Sequence, residues 1–283
     1  MHLSEQSVRA ALSDLEARYV AFMIDHFRNW RVWADASQRM ADGIPVLREE
    51  IPEAFAIEYE FAKAVLEMEH QGGFNWNDPR LRKIFAAVAQ GPFYTFWADM
   101  ITEVVLRLTP LFNVKTLLEA GAGRANLTVV MLEKLAARAA DILLVTTDAH
   151  PVVLDSIGKL REQYPSIRQT TCLWDITQKP PQPLLDILQP PVLLYERATI
   201  TYANWQALNN FAVADVVVLG DYFNYTGTLY AYDMIFEKIG VKPLLYQEVK
   251  PVLDACFPYQ YIMDARVVEE IGLPNVTLTV AWR

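Results

Sequence analysis

Along the first third of the chain, apolar residues recur every three or four positions. Leu12, Leu15, Tyr19, Phe22, Met23, Phe27 and Trp30 share one face of a helix that starts near Ser4. Gly43 and Pro45 interrupt the pattern. Pro52 opens a second amphipathic helix through Phe55, Tyr59, Ala62, Val65, Leu66 and Met68, which Gly72 and Gly73 close. Pro79 starts a third helix that Gly91 and Pro92 end, and a fourth runs from about Phe93 to Leu108. No strand-like alternation occurs before Pro110. Residues 1–110 are therefore expected to form a helical cap packed on the remainder of the chain.

Beyond Pro110 the pattern changes to short apolar runs alternating with helical stretches, the signature of a mostly parallel sheet covered on both faces. The predicted strands are Thr116–Glu119, Ile142–Thr147, Ile167–Cys172, Val192–Tyr195, Val216–Leu219, Leu244–Val249 and Val276–Trp282. Helices are predicted at Ala125–Ala137, Val152–Tyr164, Trp205–Ala212 and Leu229–Ile239, with a loop and short helix in the proline-rich stretch Gln178–Pro191. The expected fold is α/β: a seven-stranded doubly wound sheet over residues 111–283, preceded by the cap.

The stretch T-L-L-E-A-G-A-G-R-A-N, Thr116 to Asn126, reads as a strand turning into a helix. Gly121 and Gly123 permit a tight turn and close approach of a ligand to the backbone, and the free N–H groups of the following helix face the same place. Glu119 is expected to point a carboxylate into that site. In a doubly wound sheet, ligands bind outside the carboxyl ends of the strands where the strand order reverses. Two further acids belong there. Asp148 ends the second strand in V-T-T-D-A-H-P, followed by Ala149 and His150, and Asp175 follows the third in C-L-W-D, beside Trp174.

These features resemble the class I S-adenosylmethionine-dependent methyltransferases, from about Leu111 to Arg283. The resemblance rests on E-A-G-A-G-R-A at Glu119–Ala125, on Asp148 and on the W-D pair Trp174–Asp175. It implies a Rossmann-like methyltransferase sheet closed by an antiparallel last strand, matched by V-T-L-T-V-A-W-R at the C-terminus. It implies S-adenosylmethionine as cofactor, with Glu119, Gly121, Ala122 and Gly123 along the methionine part, Asp148 at the ribose and Asp175 at the adenine. Ala149, His150 and Trp174 complete the pocket wall. Two departures stand out: Ala125 occupies the place of a frequent third glycine, and no proline-glycine-glycine turn follows the fifth strand. A nicotinamide dinucleotide is the rival ligand, but its G-x-G-x-x-G pattern needs glycine at Asn126, and Glu119 would repel a pyrophosphate.

Tyr195, Glu196 and Arg197, in L-Y-E-R, fall at the mouth where such enzymes position the acceptor, and Tyr222, Asn224 and Tyr225 reach the same rim after the fifth strand. Phe93, Tyr94, Phe96 and Trp97 read mainly as cap core, with at least one of the four a candidate to face the sulfonium, since an aromatic face attracts a cation by ~0.5 to 2 kcal/mol. The catalytic candidates are Tyr195, Glu196, Arg197 and Tyr94. The reading favours methyl transfer to a small-molecule metabolite. A second reading keeps the cofactor but attacks its amino acid arm, by cyclisation to azetidine-2-carboxylate or by aminocarboxypropyl transfer, with release of 5'-methylthioadenosine. A third is a catalytically silent binding module.

Composition narrows the partners. A formal charge of -9 without any Lys/Arg-rich run argues against nucleic acid or an anionic membrane surface. Cys172 and Cys256 lack metal-ligand spacing, and His2, His26, His70 and His150 form no catalytic or zinc motif, so no metal is expected. No apolar run reaches the roughly 18 residues of a membrane span, and the start is polar. A cytoplasmic protein is expected, with a homodimer through the cap as the protein partner to consider.

Overall fold

The computed structural model describes residues 3–73, 78–138, 141–221, 223–224, 244–263 and 278–283. It begins with helices α1 (Glu5–His26), α2 (Trp30–Ala41), α3 (Ala56–His70), α4 (Pro79–Gln90) and α5 (Pro92–Leu111). Ser4 caps α1, its hydroxyl accepting from the Ser7 N–H at 3.2 Å, and Asp78 caps α4, accepting from the Arg80 N–H at 2.8 Å. The helix expected to reach Trp30 is instead two. Phe27 closes α1 by donating its N–H to the Met23 carbonyl, and Trp30 begins α2. At the joint between α4 and α5, a Cβ on Gly91 would lie 3.1 Å from the Val88 carbonyl oxygen.

The sheet region then runs β1 (Thr116–Glu119), α6 (Asn126–Arg138), β2 (Leu143–Asp148), α7 (Pro151–Leu160), β3 (Gln169–Leu173), α8 (Gln182–Ile187), β4 (Val192–Arg197) and α9 (Thr199–Ala203). It continues with β5 (Val216–Gly220), β6 (Phe223–Asn224), β7 (Leu244–Leu245), a helix at Tyr246–Cys256, β8 (Tyr259–Ile262) and β9 (Thr279–Trp282). Seven strands form one sheet in the order β3-β2-β1-β4-β5-β9-β8. β1 to β5 are mutually parallel, while β9 runs antiparallel to both β5 and β8. The mixed α/β sheet agrees with the expected fold class.

One predicted strand is wrong. Leu244–Val249 supplies only the two residues of β7, in a separate ribbon with β6, and the chain then turns helical through Cys256. Tyr246, Val249, Leu253 and Cys256 recur at helical spacing, and Val249 and Leu253 are fully buried. A short apolar run does not separate the two states. The sheet takes Tyr259–Ile262 instead. The helix predicted at Trp205–Ala212 is present as a 3-10 helix, Trp205–Val213. The predicted helix Leu229–Ile239 lies outside the described residues.

Strand alternation divides the core in two. Leu117, Leu193, Tyr195, Val216 and Val218 face α1, α5 and α6, while Leu118, Leu194, Val217 and Leu219 face Leu184 of α8, Phe211 and the helix carrying Leu253. Trp97, Ile101, Val104 and Leu108 of α5 are fully buried because this helix is wedged between α1, α6 and the sheet. The N-terminal helices thus share one hydrophobic cluster with a sheet face. Ion pairs bind the same layer: Asp99 of α5 meets Arg18 of α1 at 2.7 Å and Lys134 of α6 at 2.6 Å, and Glu103 meets Arg138 at 3.1 Å and also Lys134. These groups are partly exposed, so each pair contributes at most about 1 kcal/mol. Burial does most of the joining. Among the described residues, no helix is long and apolar enough to cross a membrane.

Candidate active site

A crevice of about 620 Å³ opens at the C-terminal edge of the sheet, where the strand order reverses between β1 and β4. Gly121, Ala122 and Gly123 line it from the turn after β1, and Asp148, Ala149 and His150 from the end of β2. Trp174 and Asp175 follow from β3. Arg197, Ala198 and Thr199 form the side beyond β4, and Tyr94 and Val88, from α5 and α4, form a wall on the helical side. Of the residues singled out for the cofactor, only Glu119 is missing from the lining.

The turn is left-handed at three places, with φ of 67° at Gly121, 53° at Gly123 and 61° at Ala125. Two glycines take that conformation freely, whereas Ala125 takes it at a cost. Asp148 is the clamp of this turn. Its Oδ2 accepts from the Gly123 N–H and its Oδ1 from the His150 N–H, both at 2.9 Å. His150 Nδ1 lies 3.2 Å from the same Oδ1, with the imidazole side chain 76% exposed. Asp148 is not the side-chain cap of α7, since the residue preceding that helix is His150.

Glu119 corrects an expectation. Its carboxylate does not enter the crevice but lies buried beneath it, accepting from Thr128 Oγ1 at 3.0 Å, Tyr195 Oη at 3.4 Å and Thr146 Oγ1 at 3.5 Å. Register explains the arrangement. Thr146 and Tyr195 flank Glu119 directly on β2 and β4, on the face that α6 covers with Thr128. Burial pushes the Glu119 carboxyl up to about 7, outweighing the hydroxyl donors and the nearby Arg197. The same burial, and then the Glu119 charge, raise the Tyr195 phenol above its usual range.

Tyr195 and Glu196 are likewise not at the mouth, because β4 extends two residues beyond its predicted end and carries both inside. Alternation sends Tyr195 and Arg197 to the α5 side and Glu196 to the opposite one. Arg197 reaches the crevice, where its guanidinium sits 5.7 Å from the Tyr94 ring centroid and Nη1 donates to the Tyr94 carbonyl at 3.4 Å. Tyr94 is half-buried and faces the crevice, whereas Phe93 and Trp97 are core.

Glu196 instead holds the start of α9. Its Oε2 accepts from the Thr199 N–H at 2.7 Å, while Asp221 accepts from the Ile200 N–H at 3.0 Å, the Thr201 N–H and the Thr201 hydroxyl. Both acids are fully buried, and burial followed by the Asp221 charge raises the Glu196 carboxyl well above the usual range. Thr199 Oγ1 in turn donates to the Ala120 carbonyl at 3.0 Å, pinning α9 to the glycine turn. Thr199, Asp221, Thr128 and Val88 were not singled out in the sequence. The signal for Asp221 was its place after a buried strand.

Asp175 is exposed, its Oδ1 accepting from the Thr177 N–H at 2.9 Å and hydroxyl at 2.7 Å. Trp174 is 2% exposed and donates Nε1–H to the Gln178 carbonyl. Asn224 lies in β6, while Tyr222 and Tyr225 fall outside the described residues. Among the described residues, no group of three His, Cys, Asp or Glu side chains is placed to hold a metal ion.

The sequence matches no family model and no curated protein. Solved structures share the fold. The citrinin polyketide synthase CMeT domain aligns with a TM-score of 0.64 at 14% identity, over 80% of this chain and 65% of that one. The DszA carbon methyltransferase aligns at 0.60 and 14%, over 81% and 66%, and the mitomycin 7-O-methyltransferase MmcR at 0.50 and 12%, over 83% and 70%. The chain thus spans just under two thirds of the first two, at 65% and 66%. With the strand order, the glycine turn and the crevice, these likenesses lead to one conclusion: the chain has the fold of the class I S-adenosylmethionine-dependent methyltransferases.

Proposed function

We propose that this chain is an S-adenosylmethionine-dependent methyltransferase acting on a small-molecule acceptor. The observation that carries the reading is that the glycine turn, Asp148 with its neighbours, and Trp174 with Asp175 line one crevice at the strand-order reversal. The residues present fit the cofactor. Gly121 packs so closely on Thr199 that a Cβ would run into it, which fixes the turn in the crevice wall, and Asp148 keeps lone pairs for two ribose hydroxyls beside those given to Gly123 and His150. Asp175 supplies an acceptor for an adenine amino group at the exposed end. That the similar folds include carbon and oxygen methyltransferases supports the class.

When bound, the cofactor supplies an electrophilic methyl on a positively charged sulfur. The chain's part is to hold the acceptor in line and keep water out. Val88 of α4 and Tyr94 of α5 supply the helical wall of the crevice, and in this reading that wall selects the acceptor. The half-buried Tyr94 ring offers its face to a cation, though Arg197 already occupies part of that role. Glu119 and Glu196 are enclosed, so neither takes a proton from the acceptor; the titratable side chains that line the crevice include Tyr94, Asp148, His150, Asp175 and Arg197.

Calorimetry with S-adenosylhomocysteine tests the assignment, with a micromolar dissociation constant expected. Binding of a nicotinamide dinucleotide in its place would overturn it. Mass spectrometry then separates methyl transfer, which leaves S-adenosylhomocysteine, from attack on the amino acid arm, which leaves 5'-methylthioadenosine.

A further inference from the structure

We propose that Arg197 is the anion-recognition residue of the crevice, its guanidinium receiving a carboxylate carried by the amino acid arm of the cofactor or by the acceptor. The inference rests on the methyltransferase reading and deepens it.

Arg197 has a place in the crevice wall and a fixed orientation, with its guanidinium over the Tyr94 ring and Nη1 on the Tyr94 carbonyl. That contact uses one of five donors. Among the described residues, no carboxylate lies within ion-pair distance of it. The two acids of the crevice are engaged elsewhere: Asp148 by the N–H groups of Gly123 and His150, Asp175 by Thr177. Glu119, the nearest buried acid, gives its oxygens to Thr128, Tyr195 and Thr146. The crevice therefore presents a planar cation set on the Tyr94 ring, which is itself packed against the buried Phe93 and Trp97, with donors to spare.

A guanidinium held this way matches a carboxylate in bidentate fashion, and a low-dielectric backing strengthens the pair. The setting makes this specific. With a net charge of -9 the chain repels anions overall, so a carboxylate ligand needs a local cation to enter. The position also suits either source, since Arg197 follows Tyr195, the register partner of Glu119 immediately before the glycine turn, and also meets the helical wall through Tyr94.

The test compares wild type, Arg197→Gln and Arg197→Lys by calorimetry with S-adenosylhomocysteine and with 5'-methylthioadenosine, which lacks the carboxylate. If the cofactor is the source, Arg197→Gln weakens S-adenosylhomocysteine by about ten- to a hundredfold, leaves methylthioadenosine unchanged, and Arg197→Lys recovers part of the loss. If the acceptor is the source, both nucleosides bind all three proteins alike. With S-adenosylhomocysteine saturating, benzoate then binds wild type and not Arg197→Gln, while neutral benzamide does not distinguish them. Equal loss of both nucleosides in Arg197→Gln, or no difference between wild type and this variant for S-adenosylhomocysteine and benzoate, overturns the proposal. Failure of the wild type to bind either nucleoside overturns the methyltransferase reading itself.

Discussion

Gly121 and Thr199 are packed so closely that a methyl group on Gly121 would lie 2.3 Å from Thr199 Cγ2 and 2.8 Å from its Oγ1. The turn after β1 and the start of α9 thus fix each other, and Gly121 is also left-handed. Gly121→Ala should destabilise the fold by about 1 to 3 kcal/mol and weaken S-adenosylhomocysteine binding. Adding Thr199→Ala should relieve the steric part and leave the backbone part. Urea denaturation of the single and double variants measures both, and a Gly121→Ala protein as stable as its parent would refute the packing.

Asp148 serves two ends. Because it accepts from the backbone of Gly123 and of His150, its removal leaves two N–H groups without their acceptor as well as any ribose without its carboxylate. Asp148→Ala is expected to cost about 1 to 3 kcal/mol in stability and a similar amount in cofactor affinity. His150→Ala, which touches only the exposed ring, should change stability by less than about 0.5 kcal/mol. Thermal denaturation and calorimetry of the two variants separate the roles; equal effects would show that the imidazole matters as much as the carboxylate.

The buried carboxyls give the fold a dependence on pH. Glu196, raised by burial and then by Asp221, keeps a proton in the folded chain that the unfolded chain releases near the ordinary carboxylate pKa. The stability so conferred is complete below that pKa and is lost as pH rises through the higher folded value. Glu119 adds a second loss of the same sign as pH climbs from 4.5 to about 7. Glu196→Gln and Glu119→Gln should each flatten the decline of unfolding free energy with rising pH. Urea midpoints measured from pH 5 to pH 9 test this, and parallel curves for wild type and both variants would refute it.

Tyr94 and Trp97 stand one turn apart on α5 with different tasks. Trp97 is fully buried against Phe93, so Trp97→Ala should cost about 3 to 5 kcal/mol of stability. Tyr94→Ala removes a half-buried ring from the crevice wall and the cation contact with Arg197, a loss of about 0.5 to 1 kcal/mol in the fold. Its main effect should fall on ligand binding. Hydrogen exchange over residues 92–97 should slow when S-adenosylhomocysteine binds; unchanged exchange would assign these helices to structure alone.

Local pattern determined much of this protein. Helical spacing before Pro110, apolar runs after it, and the strand-turn-helix at Gly121 and Gly123 were legible because each depends on neighbours in the chain. The same holds for Asp148, Trp174 and Asp175, since a parallel sheet delivers every strand end to one edge. Tertiary structure decided the rest. Leu244–Val249 reads as a strand from its apolar run, yet the helix Tyr246–Cys256 forms there because Val249 and Leu253 find their core at helical spacing. Glu119 was placed at the site by sequence, yet its carboxylate is taken by Thr128, Thr146 and Tyr195, brought from a helix and two strands by register. Tyr195, Glu196 and Arg197 are consecutive in the chain, but the pleat sends alternate residues to opposite faces, and only the length of β4 and the layers packed on each side determine which are enclosed. Arg197 meets Tyr94 across 103 positions. No local pattern encodes that contact, because it forms only when α5 is wedged onto the sheet by burial of its apolar surface.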